Sequence, residues 1–221
     1  MFIVEGNIGA GKSTFLKLLQ EHLSYTTVVF EPIHNWQSNQ EGQSLLTSFY
    51  QEPHRWAYTM ETLAMACRVN EHLKEQQHTH PFRIIERSIY SGHYCFAYND
   101  YQSGFLTELE WTLYTTWFNF LIPNQCTPPR GFIYLKVSPT IAHTRIKKRQ
   151  RSGESTIPLE YLEQIDKRHD QFLIEKTGIL PSLQNIPVLL LDCNEEFENN
   201  PELLKKHIQA VAEFMQSSLS L

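Results

Sequence analysis

The chain begins with a short apolar run, a glycine-rich loop and a helical pattern, and this order constrains its fold more than any other feature. The run covers residues 1–5 ("MFIVE") and stops at a glycine, and leucine spacing typical of a helix starts at Lys12. Between them, Gly6 to Ser13 match the pattern Gly-x-x-x-x-Gly-Lys-Ser, whose backbone N–H groups can surround phosphate oxygens. We therefore interpret the loop as a phosphate-binding loop (P-loop) rather than as a glycine-rich turn with a chance lysine.

Each position in this loop has a predicted role. Lys12 can reach the β- and γ-phosphates of ATP, and Ser13 can bind Mg²⁺. The N-terminus of the following helix adds a partial positive charge. The predicted ATP-binding residues of the loop are Gly6, Asn7, Ile8, Gly9, Ala10, Gly11, Lys12, Ser13 and Thr14.

Strand-like and helix-like segments alternate along the rest of the chain. Further apolar or β-branched runs predict strands at 26–32, 82–86, 131–137 and 187–192. Helical spacing predicts helices at 12–22, 54–77, 88–101, 107–121, 139–150, 158–177 and 201–217. Strands separated by helices favour an α/β fold with a mainly parallel sheet covered on both faces. No linker interrupts the pattern, so we expect one domain, residues 1–221.

The composition excludes several classes of protein. Of 221 residues, 41% are hydrophobic and 19% charged, which is typical of a soluble globular protein. The net charge of −5 disfavours binding to nucleic acid or to an anionic membrane, and no apolar run approaches the ~20 residues that span a bilayer. The four cysteines lack zinc spacing and are typical of reduced thiols. Since the loop begins at Gly6, leaving no room for a signal peptide, we expect a cytoplasmic protein; an organellar targeting segment ahead of residue 1 stays open.

Acidic residues stand at the carboxyl ends of three predicted strands. Glu31 follows the second strand, Glu86 and Arg87 follow the third, and Asp192 ends the fifth. Ligands bind beyond these ends in a parallel sheet. Each residue alone could cap a loop, but together they suggest a metal ligand, a base and a charge stabiliser around a transferring phosphate.

A basic run, "RIKKRQR", occupies residues 145–151. Arg145 and Arg149 are four residues apart and share a helix face. They could clamp phosphates when a segment loosened by Gly153 closes over the site, which predicts a basic lid at about 145–158. The alternatives are a solvated helix end that favours cations and a nucleic-acid contact, which the net negative charge disfavours.

Taken together, these segments resemble the deoxynucleoside kinases, the family of deoxycytidine, deoxyguanosine and mitochondrial-type thymidine kinases. The shared segments run in order from residue 4 to about 197: "EGNIGAGKST", "EP" with a nearby tryptophan, "FYQEPHRWA", "ERSIYS", "RIKKRQR", "IPLEYL" and "LDCNEEF". The resemblance implies a P-loop NTPase fold with a five-stranded parallel sheet, and a homodimer. It also implies transfer of the γ-phosphate of ATP, with Mg²⁺, to the 5′-hydroxyl of a deoxynucleoside.

The resemblance further implies roles for individual residues. The implied catalytic residues are Lys12, Glu31 as general base on the 5′-hydroxyl, and Arg87 as charge stabiliser; Glu86 would join Ser13 at Mg²⁺. Tyr50 and Glu154 would bind the 3′-hydroxyl, while Trp36, Met60 and Phe96 would pack on the base. The ATP side would add Arg145, Arg149, Arg151 and Phe197.

One position departs from the family's pattern: Glu61 stands where the resemblance implies a glutamine that reads the base. Arg68 matches an arginine of the deoxycytidine and deoxyguanosine kinases, but the acid that accompanies it there is Gly92 here. An ionised Glu61 only accepts hydrogen bonds, which suits the two adjacent donors of guanine, and Arg68 could then meet O6 or N7. This predicts deoxyguanosine first and deoxyadenosine second. The alternatives are a protonated or averted Glu61 and a thymidine/deoxycytidine-type or broad specificity.

Two further questions stay open from the sequence. The stretch "EWTLYTTWFNFLI" (110–122) offers an aromatic face that suits either a subunit contact or ordinary core. A P-loop switch module without an acceptor is an alternative of another class, but it would not need the base and sugar residues. A nucleoside monophosphate kinase would need extra cations, whereas Glu31 would repel an acceptor phosphate.

Overall fold

The computed structural model describes residues 1–33, 44–149 and 154–219, apart from the side chain of residue 155. Its five strands form one parallel sheet in the order β2–β3–β1–β4–β5. The strands are β1 (Phe2–Glu5), β2 (Thr27–Val29), β3 (Arg83–Glu86), β4 (Gly131–Lys136) and β5 (Val188–Asp192). The predicted five-stranded parallel sheet is confirmed, and its central strand β1 leads directly into the glycine-rich loop.

Helices connect successive strands. They are α1 (Lys12–His22), α2 (Leu45–Gln51), α3 (Pro53–Glu75), α4 (residues 89–102), α5 (Glu108–Gln125), α6 (Pro139–Arg149), α7 (Leu159–Asp170) and α8 (Pro201–Ser217). Helix α4 contains a π-helical turn at Gly92–Ala97, and a second π-helical turn, Gln171–Glu175, extends α7. Short 3₁₀ turns lie at Glu154–Thr156 and Pro181–Leu183. None of these described helices is long and apolar enough to cross a membrane.

Strand β1 divides the core between the two faces of the sheet. Successive side chains of a strand point to opposite faces. Phe2 and Val4 therefore pack with residues of α1 and α8, whereas Ile3 packs with residues of α3, α4 and α5. The prediction that helices cover both faces of the sheet is thus confirmed, and the buried sheet fixes where its strand ends lie.

The structure differs from the predicted elements in four places. Helix α2 was not predicted: it is short, and it is stabilised by the Ser44 side chain, which caps the N–H of Thr47 at 3.1 Å, and by burial of Leu46 and Phe49. The predicted helix 88–101 contains a π-helical turn, and the predicted helix 158–177 is regular only to Asp170. The predicted strand 26–32 ends at Val29, so Glu31 leaves the sheet and turns toward the P-loop.

Candidate active site

The glycine-rich loop is curled tightly around the start of α1. Gly9 has a φ of 80°, and a side chain there would meet the carbonyl oxygen of Ala142 at 2.5 Å. Gly11 has a φ of 89° and begins α1. The Lys12 ammonium donates to the carbonyl oxygens of Gly6 and Asn7, both at 2.9 Å, so it folds back over the loop. This is the geometry of a cradle for an anion.

Lys12 is almost fully buried, and burial is the main cause that lowers its pKa, followed by the Arg87 guanidinium. Three carboxylates, Glu86, Glu31 and Glu5, oppose that effect. A bound phosphate would favour the charged ammonium further, because an opposite charge nearby stabilises it. Glu5 was not predicted as a site residue: it is buried at the end of β1 and accepts from the N–H of Ser88 at 3.0 Å.

Ser13 and Glu86 meet at the mouth of the loop. The Ser13 hydroxyl donates to Glu86 Oε1 at 2.6 Å, and Glu86 Oε2 lies 3.5 Å from the N–H of Glu31. Hydroxyl and carboxylate oxygens are ligands that Mg²⁺ accepts, and Mg²⁺ is usually held by one or two protein oxygens together with substrate phosphates. The described residues contain no cluster of three metal-binding His, Cys, Asp or Glu side chains.

The Glu31 carboxylate lies between two guanidiniums. Its Oε1 accepts from Arg68 Nη2 at 2.6 Å, and its Oε2 accepts from Arg87 Nε at 3.3 Å. Burial would raise the pKa of Glu31, but Arg68 and Arg87 outweigh burial and lower the pKa to about 2. Glu31 is therefore ionised and able to accept a proton, although its basicity is weak while both pairs hold.

Arg87 has an uncommon backbone conformation, with a φ of 61° in the left-handed region. Its N–H donates to the carbonyl oxygen of Val4 at 2.9 Å, and its guanidinium lies 4.5 Å from the centre of the Phe96 ring. Non-glycine residues in this region cost of order 1–3 kcal/mol and concentrate at functional sites. The conformation directs Arg87 toward Glu31 and away from the sheet.

A cavity of about 300 Å³ extends from the P-loop between α2, α3, α4 and α7. Its size, and its lining of both polar and apolar side chains, suit one small molecule. It is lined by many of the residues that the sequence predicted: Lys12, Ser13, Glu31, Tyr50, Met60, Glu61, Arg68, Glu86, Arg87, Phe96, Arg149 and Glu154. The P-loop and the residues predicted to hold a nucleoside therefore share one enclosed space.

Tyr50 and Glu154 lie close together on one side of the cavity. Burial and the Glu154 carboxylate both raise the pKa of Tyr50. Glu154 also pairs with the Arg149 guanidinium at the end of α6. This pair links the end of the basic helix to the cavity wall.

The closed end of the cavity carries Glu61 and Arg68 on one face of α3, with Met60 and Phe96 as apolar walls. Glu61 is only 5% exposed, and burial raises its pKa to about 7, although Arg68 and Arg87 act in the opposite direction. Phe49 and Tyr161 also line the cavity and were not predicted as site residues. Both stand inside segments that carry the family resemblance, "FYQEPHRWA" and "IPLEYL", but only the packing of α2 and α7 shows that their side chains reach the cavity.

A second cavity, of about 360 Å³, lies on the other side of the P-loop. It is lined by Gly9, Gly11, Thr14, Arg145, Lys148, Arg149, Glu196, Phe197 and Glu198. Arg145 donates to the carbonyl oxygens of Asn194 and Glu195 at 3.4 and 3.3 Å and pairs with Glu196 at 3.6 Å. Its guanidinium therefore belongs to this second cavity and not to the first.

Four predicted positions stand apart from this arrangement. The convergence of Asp192 with Glu31 and Glu86 is wrong: β5 lies at the opposite edge of the sheet from β2, and Asp192 Oδ1 accepts from the backbone and side chain of Asn194 at 3.0 and 2.7 Å. The Asn7 amide donates to the Leu162 carbonyl oxygen at 2.8 Å, so it ties the loop to α7. Trp36 and Arg151 lie outside the described residues.

Comparison with known proteins gives the site its context. The family model for deoxynucleoside kinase matches residues 2–216. Deoxycytidine kinase 2 of Gallus gallus is 37% identical, over 97% of this chain and 89% of that protein. Mitochondrial deoxyguanosine kinase of Xenopus laevis is 38% identical, over 89% of this chain and 82% of that protein. Mitochondrial thymidine kinase 2 of Homo sapiens is 33% identical, over 92% of this chain and 74% of that protein. The chain belongs to the deoxynucleoside kinase family, which consists of phosphotransferases that use ATP as phosphate donor.

Proposed function

We propose that this protein transfers the γ-phosphate of ATP to the 5′-hydroxyl of a deoxynucleoside, with deoxyguanosine as the preferred acceptor. The observation that carries the proposal is the position of Glu31 and Arg87, which line, together with the P-loop, one cavity large enough for a nucleoside. Relatives named for deoxycytidine, deoxyguanosine and thymidine are similarly close to this chain, so their names alone do not choose the base.

Each residue has one task in the proposed reaction. Lys12 and the loop amides hold the phosphates, while Ser13 and Glu86 hold Mg²⁺, which would neutralise charge on the phosphates. Glu31 accepts the proton of the 5′-hydroxyl as it attacks phosphorus, because a primary alcohol is a weak nucleophile until a base assists it. The Arg87 guanidinium stabilises the charge that develops beside it.

The lid supplies further cations from the second cavity. In this proposal Arg145, Arg149 and Arg151 contact the phosphates of ATP and Phe197 contributes to its binding; of these residues, Arg145, Arg149 and Phe197 line the second cavity. Arg149 is paired with Glu154, the residue proposed with Tyr50 to bind the 3′-hydroxyl. Closure of residues 145–158 over the phosphates therefore requires Arg149 to divide its contacts between Glu154 and ATP.

Base recognition is proposed at Glu61 and Arg68. A carboxylate at Glu61 accepts from N1–H and the 2-amino group of guanine, and Arg68 donates to O6 or N7. In the structure Arg68 donates to Glu31, so binding of guanine draws Arg68 away from Glu31. Glu31 then becomes a stronger base when the cavity is occupied, because it loses the closer of its two positive partners.

An assay of ATP with the four deoxynucleosides and with thymidylate tests the proposal. We expect deoxyguanosine to have the highest kcat/KM, deoxyadenosine to follow, and Glu61→Gln to relax that ranking toward adenine and the pyrimidines. Preferred turnover of thymidine would refute the role of Glu61. Preferred turnover of thymidylate would favour a monophosphate kinase, and ATP binding without any acceptor would favour a switch module.

We also propose a homodimer that forms through α5. The helix buries Tyr114, Phe118 and Ile122 but exposes an apolar stripe, so it serves as core on one side only. The stripe consists of Leu109, Leu113, Trp117 and Phe120, which are between 44 and 68% exposed. Sedimentation should give a dimer for the natural sequence and a monomer for Trp117→Glu; a monomer for both would refute the proposal.

Two broader proposals accompany this function. Residues 1–221 act as one kinase domain with its lid at about 145–158. The buried thiols Cys95, Cys126 and Cys193 suit a reducing compartment such as the cytoplasm.

A further inference from the structure

Two buried carboxyl groups lie behind the closed end of the cavity, and the reaction proposed above uses only one of them. Glu61 lines the cavity from α3, and Asp100 belongs to α4 and is fully buried. Among the described residues, Glu61 Oε2 and both carboxyl oxygens of Asp100 have no hydrogen-bond partner. Buried polar atoms are rarely left without partners, so three such oxygens in two acids whose charges act on each other require an explanation.

The charged groups around Glu61 bear on how many of the nearby carboxyl groups are ionised. The titratable and charged groups that face it from the surrounding elements are Arg68, Glu31, Arg87, Asp100, Tyr50, Tyr114 and Tyr161. Two guanidiniums thus face three carboxyl groups. Because an unpaired charge is costly in a buried site, this arrangement favours a proton on one of the three carboxyl groups.

The position of that proton follows from the neighbours of each acid. Glu31 accepts from both guanidiniums and is ionised. Arg68 and Arg87 also oppose the effect of burial on Glu61, whereas burial and then the Glu61 carboxylate both raise the pKa of Asp100. Asp100 is therefore the acid that stays neutral.

We propose that Asp100 donates its proton in a hydrogen bond to Glu61, and that this carboxyl pair selects the nucleobase by keeping Glu61 ionised. The bond gives a partner to Glu61 Oε2 and to one oxygen of Asp100, and O–H···O⁻ bonds of this kind are short and strong. It leaves Glu61 Oε1, which has two acceptor sites, for N1–H and the 2-amino group of guanine. Asp100 is a positioning residue, since it acts on the base through Glu61. The inference rests on the proposed nucleoside kinase function and adds to it a determinant of specificity.

The pair makes base selection depend on pH with a defined sign. Burial raises the pKa of Glu61 to about 7, so Glu61 loses its proton as the pH rises through that value. Below it, both carboxyl groups are protonated, Glu61 donates as well as accepts, and adenine and the pyrimidines can bind. Selectivity for deoxyguanosine therefore increases with pH.

The test is a competition between deoxyguanosine and deoxycytidine with the full chain, ATP and Mg²⁺, between about pH 6 and about pH 8. The measured quantity is the ratio of the two kcat/KM values, in which effects of pH on ATP and its phosphates cancel, while Glu31, whose pKa is lowered to about 2, stays ionised across this range. We expect the ratio to rise several-fold across this range. Glu61→Gln should give a ratio that does not change with pH, and Glu163→Gln, which changes an exposed acid of α7, should behave as the natural sequence does.

Two variants of Asp100 distinguish its proposed role from a structural one. Asp100→Leu removes the hydrogen-bond donor, so the pKa of Glu61 should rise. The pH at which the kcat/KM ratio is halfway through its change, here called the midpoint, should then move upward by about one pH unit. Asp100→Asn keeps a donor and should leave the midpoint within a few tenths of a unit of the natural value. If Asp100 were ionised, its removal would relieve repulsion and the midpoint in Asp100→Leu would move downward.

Each result has a clear reading. The proposal is overturned if the midpoint in Asp100→Leu is unchanged or lowered. It is also overturned if the midpoint in Asp100→Asn shifts as far as the midpoint in Asp100→Leu. If Asp100→Leu does not fold, a pH-dependent ratio that persists in Glu61→Gln overturns it as well. If no nucleoside is phosphorylated at any pH, the proposed function fails; if nucleosides are phosphorylated with a ratio that is independent of pH in the natural sequence, only the carboxyl pair fails.

Discussion

Replacement of Glu31 by glutamine tests the proposed general base. The amide keeps the size of the side chain and can still accept a hydrogen bond from Arg68 or Arg87, but it cannot take a proton. A positioned base contributes roughly 10²–10⁴-fold to such a reaction, so we expect kcat to fall by that factor, equivalent to about 3–5 kcal/mol in the activation barrier. Nucleoside affinity should change much less, since the cavity keeps its other walls.

The same substitution also has a cost in stability that must be separated from the chemistry. Glu31 holds two buried guanidiniums at 2.6 and 3.3 Å, and removal of one partner of a buried ion pair costs about 3–5 kcal/mol when nothing replaces it. The glutamine oxygen retains one hydrogen bond, so we expect a smaller loss.

Single-turnover rates with saturating nucleoside and ATP, measured well below the unfolding temperature, isolate the chemical step. Glu163→Gln on the surface of α7 is the matched control. A Glu31→Gln enzyme that is folded and turns over at a near-normal rate would show that another group accepts the proton.

Three further changes give separate readouts. Arg149→Ala should lower kcat much more than nucleoside affinity, since lid closure occurs around the phosphates; equal losses in equilibrium binding and single-turnover experiments would contradict this role. Gly92→Ala places a methyl group 2.7 Å from Arg68 Nη1, so Arg68 must shift, and kcat/KM for deoxyguanosine should fall on the order of tenfold while ATP affinity is unchanged. Ser13→Ala should raise the Mg²⁺ concentration needed for half-maximal rate, and a titration that matches the natural sequence would remove Ser13 from the metal site.

The strand–loop–helix at the start of the chain could be predicted closely because its signals are local. The glycine pattern and the leucine spacing predicted a helix from 12 to 22, and α1 spans Lys12–His22. The π-helical turn at Gly92–Ala97 had no such signal, since the periodicity of its apolar residues is close to that of a regular helix. Its backbone depends on tertiary contacts, among them the approach of Arg68 to Gly92.

The site was predictable where chemistry follows a strand end and less so where helix packing builds it. Glu31, Glu86 and Arg87 follow β2 and β3, which lie beside one another, so they meet as predicted. Asp192 follows the edge strand β5, and the order of strands, which the sequence pattern does not give, keeps it away. Asp100 lies in the last turn of α4, where a single acid is usually solvated, and only the packed structure reveals its burial.

The charges of this site connect base recognition with catalysis. Arg68 donates to Glu31 at 2.6 Å, and its charge acts to lower the pKa of Glu61. The same guanidinium therefore restrains the proposed general base and supports the group proposed to read the nucleobase. A nucleobase that draws Arg68 toward itself would therefore release Glu31. A nucleobase that does not contact Arg68 would leave Glu31 paired with it and weakly basic. Asp100 strengthens this dependence, because a neutral Asp100 keeps Glu61 ionised without adding a second negative charge that would compete for Arg68. Under this arrangement a poorly matched nucleoside loses in kcat as well as in affinity, since the contact that recognises the base is also the contact that frees the catalytic carboxylate.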